Sequence, residues 1–346
     1  MPALPILIAA LALAQPGGDR WSQSIPPGRG PRPPVRVGNN NNAASDYFRV
    51  WDSITTQELL ALSTACAEVH DLNTLTPERR ELLNRHASFV NDLIAATGTT
   101  DCDWGVAYDE GWNMLLPHLG TCRQSSRILR ADAIRCLREG SMIAAIERIR
   151  AMLRLSVHSA RDGLLICTLL GVAIGAQATD AAAYLLDTGK VTPAHARMLL
   201  AAFREIPRTN FYNISTAIEN ELAVTLRWLS TECNGDNAGY KFGRLLATFD
   251  PSFGSPLNPV YGLNEQQFWA HVDRAARYFQ EISKAMLLPD GGARVEELEM
   301  ELLEYQHGLV AVAVTPPMSR ARQALLTLQK RFDAMERRLQ DLGRSE

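Results

Sequence analysis

The chain is expected to be all-α, an array of packed helical pairs that ends in a C-terminal antiparallel helical hairpin. Three observations predict this. Apolar residues make up 46% of the composition and aromatics only 7%, with alanine, leucine and arginine abundant, a balance that favours helices over β-sandwiches. From Ala43 onward, apolar residues recur at steps of three and four, the period of a helix with one buried face. Helix-end signals bracket those segments: Thr76-Pro77 and Thr192-Pro193 read as helix starts, and Gly98 as a helix stop.

With 346 residues the chain is long enough to bury a substantial core, as one large domain or two modest ones. Its net charge of −3 offers no concentrated basic face, so nucleic acid is not an expected partner. Residues 1–14 read as an export signal. The apolar run Leu4 to Leu13 is too short to cross a bilayer, and Ala12-Leu13-Ala14 places small residues where a signal peptidase inspects. Periplasmic or extracellular localisation is the expectation. Residues 15–42 are rich in Pro, Gly and Asn and cannot bury enough surface to order themselves, which predicts a disordered linker. No later segment reads as a membrane span.

The linker is followed by a helical repeat-like domain over 43–232. Asn42 is placed to cap its first helix, with Tyr47, Val50, Trp51 and Ile54 on one face. "TPERRELLNRHASFVNDLIAATG" predicts one helix running to Gly98. "SSRILRADAIRCLREG" and "SMIAAIERIRAMLRLSVHSA" predict two helices joined at Gly140. With Met142, Ala145, Ile149, Met152 and Leu153 they match half of a tetratricopeptide-type unit, though no second copy follows. "LLICTLLGVAIGAQATDAAAYLLDTG" is apolar around most of its girth and belongs at the centre. Gly171, Gly175, Ala178 and Ala182 there would let a neighbour approach closely.

Residues 233–263 are Gly- and Pro-rich and predict a mostly loop connection. From 264 to 346 the pattern turns heptad-like. Met318, Ala321, Leu325, Leu328, Phe332, Met335, Leu339 and Leu342 alternate steps of three and four, and Val295, Leu298, Leu302, Tyr305, Leu309 and Val312 do the same. Between them Pro316-Pro317 forces a break. The two arms predict a hairpin, acidic on the first arm and arginine-rich on the second. Docking of both stripes on the main body, or coiling with a second copy into a homo-oligomer, are the other outcomes the pattern allows.

The residues with chemical potential concentrate in "CDWGVAYDEGWNMLLPHLG". Trp104, Asp109, Glu110, Trp112 and His118 are its candidate binding residues. Calcium is a poor fit: in an EF-hand register Gly105 falls where an oxygen ligand is needed, and Val106 where the glycine belongs. The packing reading assigns the tryptophans to apolar burial, Asp109 and Glu110 to a helix start, and Pro117 with Gly120 to a stop before a helix beginning at Thr121. The seven histidines show no H-x-x-x-H spacing, and Glu304-x-x-His307 is a single copy of a motif that a di-iron bundle needs twice. No metal, cofactor or catalytic residue is therefore expected. Cys102 and Cys122 could close a disulfide loop, contributing about 3 kcal/mol if unstrained. Cys66, Cys136 and Cys167 read as small buried hydrophobes.

The "CDWGVAYDEGWNMLLPHLG" segment, the helical pair after it and "ARDGLLICTLLGVAIGAQATDAA" together resemble a set of exported, helix-rich bacterial proteins with a "DWG…LLPHL" mark. The resemblance covers about residues 42–210 and implies helical architecture and export, with no activity attached. The functional expectation is an exported helical scaffold or binding protein for a protein or cell-envelope polymer. The alternative is a hydrolase or metal-dependent enzyme with a pocket near Trp104, Asp109 and His118.

Overall fold

A computed structural model describes residues 42–108, 116–208, 211–249, 251–255, 257–288 and 290–344. The expected signal peptide, and the linker as far as residue 41, lie outside these residues. Among the described residues there are fourteen α-helices and no strand, and 77% of those residues are helical. The fold is all-α, as composition and periodicity predict.

The first four helices wrap one side of the body. α1 (Ala43–Trp51) is capped by Asn42, whose side-chain oxygen accepts from Ala44 N at 3.1 Å. α2 (Thr56–Ala67) opens with a capping box between Thr55 and Glu58. The single helix expected from Thr76 to Gly98 is two, α3 (Pro77–Arg85) and α4 (Ala87–Ala96). They part at His86, whose backbone leaves the helical region (φ −104°, ψ 20°) while its ring Nδ1 lies 2.9 Å from the Leu82 carbonyl oxygen.

Three long helices form the centre: α5 (Pro117–Arg138), α6 (Met142–Ser159) and α7 (Leu165–Asp187), each packed against the next. The predicted stop at Pro117 and Gly120 is corrected. Pro117 sits in the first turn of α5, where its missing N–H costs nothing, and Gly120 lies inside that helix. α7 also revises the membrane reading, because by length and composition alone it could span a bilayer; 67% of its most apolar window is buried inside the protein. Its small-residue stripe explains that burial. A Cβ at Gly171 would stand 2.5 Å from the Ser156 carbonyl oxygen, so α6 and α7 approach at a distance only glycine permits.

α8 (Pro193–Arg204), α9 (Ile214–Glu232), α10 (Ala238–Phe249), α11 (Glu265–Leu287), α12 (Gly292–Leu303), α13 (Gly308–Val314) and α14 (Met318–Gly343) complete the chain. The segment 233–263 is less of a loop than its glycines suggest. Ala238, Phe242 and Leu246 recur every four residues, all fully buried, and this stripe folds α10 despite poor local propensity. Two short 3-10 turns, Pro251–Gly254 and Pro259–Gly262, follow it.

The C-terminal arms touch, with Ser319 N donating to Glu299 at 2.7 Å, but the long apolar seam of α14 turns mainly onto α8 and α7. Phe332 meets Phe203 and Phe211 at ring distances of 5.1 and 5.6 Å. Its arginines pair with the body as well: Arg331 with Asp180, and Arg338 with Asp187 at 2.7 Å. The first arm's acids are partly engaged by Arg294, which reaches Glu281, Glu297 and Glu301. The heptad stripe was legible; the surface that accepts it was not.

Candidate functional site

The "DWG" segment lies between α4 and α5 and is tied to the start of the fold. Asn42 Nδ2 donates to the Asp103 carbonyl at 2.9 Å, and Asp103 N returns a bond to Asn42 Oδ1 at 2.9 Å. Gly105 has φ +68°, a left-handed turn that favours glycine, and its N–H is held by Asp103 Oδ1 at 3.1 Å. That turn sends Trp104 inward. Its indole N–H donates to the His158 carbonyl at 2.8 Å. Its rings lie nearly parallel to Trp51 (5.6 Å, 2°), Tyr47 (5.3 Å, 21°) and His118 (4.7 Å, 10°). Such contacts contribute roughly 0.5–1.5 kcal/mol each beyond area burial. Tyr47 completes the cluster through its hydroxyl, 2.9 Å from His158 Nδ1. Burial lowers the pKa of His158 to about 4, so the ring is neutral at physiological pH.

Beginning α5 at Pro117 places His118 on its buried face, 2% exposed, beneath Trp104. His118 Nε2 lies 3.1 Å from Asp162 Oδ2. That is ion-pair range, but the approach lacks hydrogen-bond alignment and leaves Nε2 without a hydrogen-bond partner. Asp162 is buried in the turn before α7 and accepts from the Trp104 backbone N–H, and its own carbonyl accepts from the Tyr108 hydroxyl. Burial raises the Asp162 pKa above the ordinary carboxylate value, with His118 pulling against that rise. Cys167, on the first turn of α7, directs its thiol to Asp162 Oδ2 at 3.9 Å. Burial pushes that thiol well above its usual pKa.

Of the residues the sequence singled out, Trp104 and His118 meet face to face. Asp109, Glu110 and Trp112 lie outside the described residues. The Cys102–Cys122 bridge is not formed: all six cysteines are free and buried. The Cys122 thiol bonds to Ser159, and burial raises its pKa to about 12. Asp162 and Cys167 were missed as site residues. Their spacing carried no signal: Asp162 lies in the turn before α7, five residues from Cys167, off the i,i+3 and i,i+4 spacings that share a helix face.

A second buried polar set lies further along α5. Asp132, fully buried, accepts from Arg135 Nε at 2.6 Å and Arg148 Nε at 2.8 Å, and Arg148 also reaches Asn91 at 3.1 Å. Its geometry is that of a clasp joining α5, α6 and α4. Glu221 on α9 accepts from the Leu165 N–H at 3.3 Å at the start of α7, and burial raises its carboxyl pKa to about 8.

The outer surface carries a groove of 510 Å³ between α7 and α14. Leu169, Val172, Ala176 and Leu328 form its floor, with Arg320 and Arg331 at its edge. No protein-family model, curated protein or solved structure matches the chain. Function is therefore argued from these residues and their placement.

Proposed function

We propose that the chain is an exported, non-catalytic helical binding protein. It presents the α7–α14 groove to an apolar, acid-bearing segment of a protein or cell-envelope polymer. The observation that carries this reading is the groove itself: an open apolar floor edged by two arginines, on a surface where helix is stacked on helix. The floor supplies area to cover, and the Arg320 guanidinium favours a carboxylate or phosphate at its rim, Arg331 being already paired with Asp180. The leader-like residues 1–14 support placing this activity outside the cytoplasm.

The competing reading, a hydrolase or metal-dependent enzyme with a pocket near Trp104, Asp109 and His118, requires a substrate to reach the imidazole. Trp104 and His118 are 5% and 2% exposed, which argues against that access.

A photo-crosslinking residue in place of Ala324, on the groove wall, should give a discrete adduct with a partner in cells producing the protein. The same residue at Glu139, exposed at the end of α5, should not. Adducts that ignore position, or none from Ala324, would contradict the groove assignment.

A further inference from the structure

The side chains of His118, Asp162 and Cys167 form a group the packing account leaves unexplained. All three are buried, and their ligand atoms lie within 4.8 Å of one another. The imidazole nitrogen is 3.1 Å and the thiol sulfur 3.9 Å from the same carboxylate oxygen. Donors around a tetrahedral zinc, at about 2.0–2.3 Å from the ion, sit roughly 3.3–3.8 Å apart; the nitrogen–oxygen separation here is just under that range and the sulfur–oxygen separation just over it, so a small rearrangement would seat the three around one ion. His118 Nε2 faces that carboxylate oxygen at ion-pair distance but without hydrogen-bond alignment.

We propose that His118 Nε2, Asp162 Oδ2 and Cys167 Sγ bind one divalent transition-metal ion, with zinc preferred by the donor set, as a structural site that pins the start of α5 to the start of α7. One nitrogen, one oxygen and one sulfur suit zinc and do not suit calcium or magnesium, which take oxygen. A neutral imidazole, a carboxylate and a thiolate balance a dication, so the buried site carries no net charge. Coordination displaces the thiol proton to solvent, and the ion then stabilises the two anions that burial alone disfavours. The surroundings act as an outer shell: the Trp104 N–H bonds the Asp162 carboxylate, and the Trp104 ring lies against the His118 imidazole. A water molecule would take the fourth position, which keeps the site neutral. On this account the "DWG" segment shapes the site without binding the ion. The proposal stands apart from the groove reading, and neither depends on the other.

The test uses the full chain produced with zinc and purified without chelators. Elemental analysis should return one zinc per chain. Replacement with cobalt should give the thiolate-to-metal charge-transfer band and the visible bands of a tetrahedral site. His118→Ala and Cys167→Ser should lose the stoichiometric ion, while Cys233→Ser, a buried thiol elsewhere, should keep it. Chelation should lower the thermal midpoint of the unaltered chain, and added zinc should restore it. If His118→Ala or Cys167→Ser does not fold, the cobalt spectrum of the unaltered chain decides. The proposal is overturned by a chain that takes up neither zinc nor cobalt in stoichiometric amount, or by His118→Ala and Cys167→Ser proteins that retain it.

Discussion

Around α5, α6 and α7 the core encloses His118, Asp132, Arg148, His158 and Asp162, and Glu221 reaches in from α9. Along α14 it encloses Leu325, Leu328, Phe332, Met335 and Leu339, with Arg322 the buried charge on that helix. The two regions are held by different physics. The central one depends on polar groups that must stay paired and in one protonation state, so it should respond to pH and to single charge changes. The C-terminal one depends on apolar area and should respond to truncation and hardly to charge.

Glu221 gives the largest expected effect. Its ordinary pKa of 4.5 rises to about 8 in the fold. Between those values the native state holds a proton that the unfolded state has lost, so this group's contribution to stability falls as pH rises. At ~1.4 kcal/mol per pH unit the loss approaches ~5 kcal/mol. Glu221→Gln retains an acceptor for the Leu165 N–H and abolishes the titration. Denaturant unfolding across that pH range should show the variant gaining steadily on the parent. A constant difference would show that Glu221 ionises freely.

Breaking the Asp132 clasp comes next. Asp132→Asn leaves Arg135 and Arg148 facing a neutral amide, and loss of one partner from a buried pair costs about 3–5 kcal/mol. Phe332→Ala should cost a comparable ~3–5 kcal/mol through the cavity left against Phe203 and Phe211. The two variants separate the regions if unfolding is followed by hydrogen exchange. The first should loosen α4–α6 and the second α8 and α14. Matching exchange patterns would mean the core melts as one unit. The smallest effect belongs to Arg338→Ala. Its bond to Asp187 is exposed at both ends and should contribute under about 1 kcal/mol, readable as a small shift in midpoint that salt removes.

How much of this was legible follows the same division. Local rules read well: Asn42, Thr76-Pro77 and Thr192-Pro193 cap helices as their chemistry requires. The α14 stripe was legible because apolar periodicity is a local property. Its neighbour was not, because a stripe does not say which surface receives it. The site was half-visible. Trp104 and His118 stood in one quoted segment, but Pro117 looked like a stop when it was a start. Asp162 and Cys167 reach His118 only because α5, α6 and α7 stack, a tertiary fact with no trace in linear order.

The chemistry-bearing side chains are enclosed by helix packing, and the reactivity of the thiols in the native protein is the most direct test of that enclosure. With a chelator present, brief alkylation followed by mass mapping should leave Cys102, Cys122 and Cys167 unmodified until denaturant is added. Rapid modification of Cys122 or Cys167 in the folded chain would contradict it, because the centre would then open to solvent as an active site does.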